Sequence, residues 1–387
     1  MNKKIKVLQV IPRLGFGGAE TGCYDLAHFL PEKGAKSYII TSGGELLKFI
    51  NKKKVKVFKL PVQSKNPILI LLNTLIISLI IIIYNINIVH ARSRAPAWSC
   101  LFATKITFRK FVTTFHGTYN FKSKIKKFYN SVMVRSDLVI AGSNFIFSHI
   151  NENYGSFFLK KSRKLLVVFR GINTSYFHPH KILPTKIDNF GKKNKIDRNK
   201  FIILLPGRLT NWKGQKIFIE SIKLLKEKDN IQSFECVILG SELGRNVYKK
   251  QLVGLVQQYN LNTIVKFIDA VDEMPTAYKI ANLVCSTSIE PEAFGRVAVE
   301  SQAMEIPILA SNIGGSKETI INNKTGFFFE SGNSKDLAEK IFMIMQKDYN
   351  SLKFIGSEGR KNVLKKFDVD KMCQTTFTEY NKLVQSK

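Results

Sequence analysis

Two glutamates, Glu292 and Glu300, stand in the segment EPEAFGRVAVESQAM (290–304), whose other side chains are mostly small or aliphatic. A carboxylate in such surroundings needs a partner, because burying an unpaired charge is costly. If the apolar run Ala281–Cys285 is a strand and the run from Gly295 a helix, Glu292 falls in the loop between them. Glu300 then lies about five residues into the helix, roughly 7–8 Å along its axis. Between the two is a helix N-terminus, whose unpaired N–H groups and dipole attract anions, phosphate above all. The chemistry this suits is the binding of a ligand with hydroxyls at both ends and a diphosphate in the middle. Carboxylates accept from the hydroxyls and amides take the phosphates, and a nucleotide-sugar has that layout.

Other stretches carry compatible chemistry. In PGRLTNWKGQ, Arg208 and Lys213 follow an apolar run and precede a helical one, so two cations converge on one turn, a planar fork and a point charge suited to a diphosphate. In TTFHGTY, His116 directly follows a predicted strand, where open α/β sheets bind ligands. GFGGAE (Gly15–Glu20) is not a dinucleotide fingerprint, since Glu20 stands where the third glycine belongs, yet Gly17 and Gly18 allow a ligand close to the backbone. Gly314 and Gly315 in SNIGGSKETI suit close approach of a phosphate. Glu318 falls in the first turn of the following helix, where the dipole favours it in any case. The remaining histidines (28, 90, 149, 178, 180) have no ligand spacing and are read as structural.

These motifs resemble glycosyltransferase family 4. Glu292, Phe294, Gly295 and Glu300 match its E-x-F-G-x4-E signature, and the GGAE, T-x-H-G-like, GRL…KG and GG segments follow in the family's order over about residues 5–380. The resemblance implies a GT-B fold of two Rossmann-like, doubly wound domains facing a central cleft. It also implies a retaining hexosyltransferase using a UDP- or GDP-linked sugar, with no cofactor and no metal. His116, Arg208, Lys213 and Glu292 would be catalytic. Gly17, Gly18, Phe294, Gly295, Arg296, Glu300, Gly314 and Gly315 would bind the donor. The acceptor would be a cell-envelope glycan or a lipid-linked, lipopolysaccharide-type molecule. One departure is Glu305, where the family usually ends the second-glutamate helix with glycine; a side chain in a left-handed cap costs about 1 kcal/mol.

The elements that must position these residues are legible in the same way. Strands are predicted at 4–11, Ser37–Thr41, Val55–Leu60, Ile88–Ala91, Phe111–Thr114, Leu138–Ala141 and Leu165–Val168, alternating with helical stretches that begin at about Ala19–Leu30. A second series follows at Phe201–Leu205, Glu235–Leu239, Val265–Ile268, Leu283–Cys285, Ile308–Ala310 and Gly326–Phe329. Two domains are expected, 1–177 and 199–365, joined by a basic, unpatterned linker at 178–198. A last helix, Asp368–Val384, is expected to cross back to the first domain.

The apolar stretch Ile68–Ile83 is shorter than the roughly 20 residues a bilayer needs, so it reads as a buried or interfacial helix rather than a transmembrane one. Sixty Lys+Arg against 29 Asp+Glu give a formal charge of +31. Such an excess favours anionic membranes, phosphorylated substrates or nucleic acid, although abundant Lys, Asn and Ile also reflect an AT-rich coding bias. The chain is expected in the cytoplasm, peripheral on the inner face of the membrane through an anionic surface. Five dispersed cysteines suggest reduced thiols. The N-terminal apolar run is too short for a secretory signal. Two rivals stand beside the transferase: a nucleotide-sugar epimerase of the same fold, and a nucleic-acid-binding protein, for which no recognisable module appears.

Overall fold

Short apolar runs, most of them buried along their length, build two parallel sheets in a computed structural model that describes residues 4–119, 123–159, 163–242 and 247–385. The first sheet comprises β1 (Lys6–Val10), β2 (Lys36–Thr41), β3 (Val55–Lys59), β4 (Ile88–Ala91), β5 (Lys110–Phe115), β6 (Leu138–Ala141) and β7 (Lys164–Val167). The second comprises β8 (Phe201–Pro206), β9 (Phe234–Leu239), β10 (Val265–Ile268), β11 (Leu283–Ser286), β12 (Ile308–Ser311) and β13 (Phe327–Phe329). Their orders are β3-β2-β1-β4-β5-β6-β7 and β10-β9-β8-β11-β12-β13, with parallel neighbours throughout. Each order reverses once, at β1/β4 and at β8/β11, and the crevice beyond the carboxyl ends there is where such sheets bind ligands. Every strand expected from the sequence occurs, with ends displaced by at most two residues.

The chain divides into two compact units, unit 1 of Met1–Gly171 with Val369–Lys387 and unit 2 of Ile172–Asp368. The expected linker at 178–198 is therefore corrected. It lies within unit 2 and contains the helix Pro184–Lys193, which buries Ile187 and Gly191. Its basic, polar composition belongs to the solvent face of that short helix, which masked the buried positions. The last helix, Val369–Gln385, is part of unit 1 as expected, with Cys373 and Tyr380 packed among Leu26, Leu30 and Ile88. His90 is structural, fastening that helix through Tyr380 Oη at 2.5 Å and Thr114 Oγ1 at 2.8 Å.

Three helices of unit 1 matter below: α1 (Gly18–Glu32), α2 (Pro67–Tyr84) and α3 (Arg94–Thr107). In unit 2 the helix Arg296–Ala303 ends with Glu305 at φ +60°, the left-handed cap the sequence suggested. Gly356 of the helix Tyr349–Lys366 permits close packing there, since a Cβ would stand 2.1 Å from Glu305 O.

Candidate functional site

In unit 2 the site grows from the two strands flanking the switch point. After β8, Gly207 (φ +152°) leads into the turn that carries Arg208 and Lys213. Gln215 Nε2 closes that turn on Arg208 O at 2.9 Å, and Ile289 N donates to Trp212 O at 2.8 Å. Gly214 (φ +71°) cannot be replaced without a collision, since a Cβ there would lie 1.8 Å from Thr287 O. Thr287 Oγ1 also donates to Lys213 O at 3.0 Å, so the turn after β8 is clamped to the segment after β11.

The clamp brings Lys213 Nζ to 2.7 Å from Glu292 Oε1, with only 14% and 10% of the two side chains exposed. Ser288 Oγ donates to the same oxygen at 2.5 Å. Burial alone would push the Glu292 carboxyl up, but the Lys213 ammonium and the serine hydroxyls outweigh it and hold it below the ordinary range. Lys213 Nζ also sits 4.5 Å from the centre of the Trp212 ring, and the Arg208 guanidinium 6.0 Å from it. Arg208 is exposed and makes no ion pair with a carboxylate among the described residues. The solvent-facing Arg208 guanidinium, beside the Lys213 ammonium at one strand end, can hydrogen-bond a phosphate group.

Glu300 lies deeper, 7% exposed, and both its oxygens are engaged: Tyr278 Oη donates to Oε2 at 2.8 Å and Arg296 Nε to Oε1 at 2.5 Å. Burial and the adjacent carboxylate raise the Tyr278 phenol well above its usual value, so it stays a donor. Gly295 (φ +82°) is the N-cap of the Arg296 helix and makes no side-chain cap bond.

Three of the expected donor-binding residues have close protein neighbours. The Phe294 ring is 5% exposed and meets Phe367 edge-on at 5.6 Å. The free space at Gly314 and Gly315 is occupied by protein: a Cβ on Gly314 would stand 2.7 Å from Glu292 O, and one on Gly315 2.7 Å from Ala293 O. Gly315 N donates to Glu292 O at 2.8 Å. This glycine pair therefore holds the Glu292 loop in place by backbone contact. Glu318 lies in the first turn of the short helix Ser316–Thr319.

In unit 1, Gly17, Gly18 and His116 lie beyond the ends of β1 and β5. The space beside Gly18 is filled by Arg170, whose Nη2 would be 2.8 Å from a Cβ, and that beside Gly17 by the Glu20 carboxylate of the same turn. Gly142 leaves room for the stem of Arg170, and Gly22 for the Arg92 guanidinium. Neither His116 ring nitrogen has a hydrogen-bond partner among the described residues, although both atoms are buried. Burial, then Arg170, Arg92 and His90, lower its pKa well below the usual value, so the imidazole is neutral at pH 7. Arg92, Arg170, Trp212, Tyr278 and Ser288 were missed from the sequence. The strand-end rule that selected His116 also selects Arg92 and Arg170, which follow β4 and β7.

Paired doubly wound sheets, each with charged side chains gathered at its switch point, define the GT-B class. The chain belongs to glycosyltransferase family 4: residues 16–176 match the family profile "Glycosyltransferase Family 4" and residues 186–362 match "Glycosyl transferases group 1". A glycosyltransferase from Rickettsia africae ESF-5, whose crystal structure covers 99% of this chain and 100% of its own, is 37% identical with a TM-score of 0.88. HepE of Anabaena, solved with UDP-glucose, has the same fold at 22% identity, with a TM-score of 0.82 and coverage of 98% and 100%. CapM of Staphylococcus aureus, named a capsular polysaccharide biosynthesis glycosyltransferase, is 29% identical over 225 residues, which are 58% of this chain and 57% of CapM.

Proposed function

We propose that the protein transfers a hexose, with retention, from a UDP- or GDP-linked donor to a cell-envelope glycan or lipid-linked acceptor. The observation that carries this reading is the Lys213–Glu292 pair, fixed 2.7 Å apart where the ends of β8 and β11 meet the Gly295 helix terminus. Arg208 and Lys213 would stabilise the diphosphate as the bond from the anomeric carbon to the phosphate oxygen breaks. The acceptor oxygen forms its bond to that carbon from the same face and yields its proton to a phosphate oxygen. Glu292 keeps Lys213 aimed, and His116, a neutral imidazole, suits a donor-sugar hydroxyl. Glu300 would accept ribose hydroxyls with the lone pairs that Tyr278 and Arg296 leave over.

Two similarities support the details: the UDP-glucose bound by HepE and the capsular polysaccharide role in CapM's name. The epimerase reading is not favoured by these relatives. A panel of nucleotide-sugars, read by release of free nucleoside diphosphate with and without envelope lipid extract, tests the proposal. Release that depends on one donor and rises with an acceptor supports it. Interconversion of two sugar nucleotides without transfer would replace it by the epimerase.

A further inference from the structure

Helix α2 is built with its polar side inward. Asn73, Thr74 and Ser78 are buried; Asn73 Nδ2 donates to Pro61 O at 3.2 Å, and Thr74 and Ser78 donate to carbonyls one turn back at 2.8 Å. On α3, Ser99 Oγ reaches Ile70 O at 3.1 Å. The outward side is entirely aliphatic: Ile68, Leu71, Leu75, Leu79 and Ile82 are 53–75% exposed. Steps of three, four, four and three residues place them on one stripe. A helix of a soluble protein normally shows water the opposite face.

The apolar stripe continues onto α3. Arg109 Nη2 bonds Asn85 Oδ1 at 3.0 Å, which sets the end of α3 beside the end of α2, and there Ile106 and Phe108 are 57% and 94% exposed. Cations stand at both ends and none in the middle, with exposed Lys65 before α2 and exposed Lys105 in the last turn of α3.

We propose that this face docks unit 1 onto an anionic bilayer, with α2 lying in the plane of the interface, its aliphatic side chains among the acyl chains and the flanking lysines against lipid phosphates. Among the described residues α2 is the one helix long and apolar enough to cross a membrane. Spanning is excluded by topology, because β3 and β4, which precede and follow α2, belong to one sheet with β1 and β2 between them. A crossing helix would put those strands on opposite sides of the bilayer. A bilayer fits better than a second copy of the chain, because a ridge without one polar group offers nothing to fix a partner's register, whereas a cation at each end complements lipid headgroups. The docking does not depend on the transfer reading, but it places the enzyme where a lipid-linked acceptor would be.

The structure also modifies the electrostatic expectation from the sequence. Salt screens the lysines but not the aliphatic stripe, so binding should keep a salt-resistant part. The test is co-sedimentation of the full chain with phosphatidylcholine vesicles, with and without phosphatidylglycerol, at low and high salt. The wild type should bind the anionic vesicles and retain a fraction at high salt. L71E/L75E should lose about tenfold or more of the binding at either salt, while K65Q/K105Q should lose binding only at low salt. Thermal melting and nucleoside diphosphate affinity, measured on the same variants, should match wild type, which separates this outcome from a failure of the donor site. The proposal is overturned if the wild type stays in the supernatant, if L71E/L75E binds as well as wild type, or if the wild type without vesicles is a dimer that L71E/L75E converts to monomer.

Discussion

In unit 2, Lys213 and Glu292 already satisfy each other at 2.7 Å, and Glu300 is held by Tyr278 and Arg296. In unit 1, His116 also stands at a strand end, yet neither of its buried ring nitrogens is bonded among the described residues. The paired groups are positioned by the protein whatever else is bound. The unbonded imidazole carries a desolvation cost of about 1–3 kcal/mol, which a ligand hydroxyl would relieve. Among the described residues, then, the carboxylates of the unit 2 site are paired and the His116 ring is not.

The largest effect should come from breaking the pair. We expect Lys213→Ala to cut turnover about 10²- to 10³-fold, and also to destabilise unit 2 by on the order of 3 kcal/mol, because Glu292 is left as a buried, uncompensated charge. Adding Glu292→Gln should restore much of the melting temperature but none of the turnover. Arg208→Ala should lower turnover on a similar scale without the stability loss, since Arg208 is exposed and outside the pair. Wild-type turnover in either single variant would remove that cation from the site.

Next is the division between the glutamates. With Glu292 holding Lys213, Glu292→Gln should weaken nucleoside diphosphate binding by about tenfold. Glu300→Gln removes charge from the Tyr278 and Arg296 bonds and should cost about 1.5–3 kcal/mol of nucleotide affinity. Calorimetry with the nucleoside diphosphate measures both. Unchanged affinity in Glu292→Gln would detach Glu292 from the diphosphate.

The His116 half is sharpened by pH. Its folded pKa lies well below the ordinary histidine value, as does that of His90. Transfer should therefore show no inflection near pH 6.5 and fall only at clearly lower pH. The unfolded chain binds protons first as pH drops below about 6.5, so stability from these two histidines is full above that value and declines down to their folded pKa values. A rate inflection near pH 6.5 that disappears in His116→Gln would contradict a buried neutral imidazole. The smallest effect concerns Glu305. Glu305→Gly should raise stability by up to about 1 kcal/mol by relieving the left-handed cap. Arg360, which lies 3.8 Å from Glu305, keeps its bonds to Phe177 O and Ala303 O. A fall in melting temperature would show that the Glu305–Arg360 pair outweighs the strain.

Much of this was legible before any tertiary contact was known. The run Leu138–Ala141 gave its strand to the residue, because a strand buried on both faces needs a short continuous apolar run, and that is a local property. The left-handed cap at Glu305 was expected from the family resemblance, which places a glycine there. The Lys213–Glu292 bond joins residues 79 apart, and the His90–Tyr380 bond residues 290 apart, so both depended on strand order. A glycine reports only that something comes close. Tertiary structure decided that at Gly314 and Gly315 the neighbour is the Glu292 loop, at Gly18 the Arg170 guanidinium, and on α2 that the polar stripe turns inward and the aliphatic one out. Sequence determines which groups a segment offers, through short-range periodicity and backbone sterics. Which groups meet is set by long-range packing, whose free energy is shared over the whole sheet and is written in no single segment.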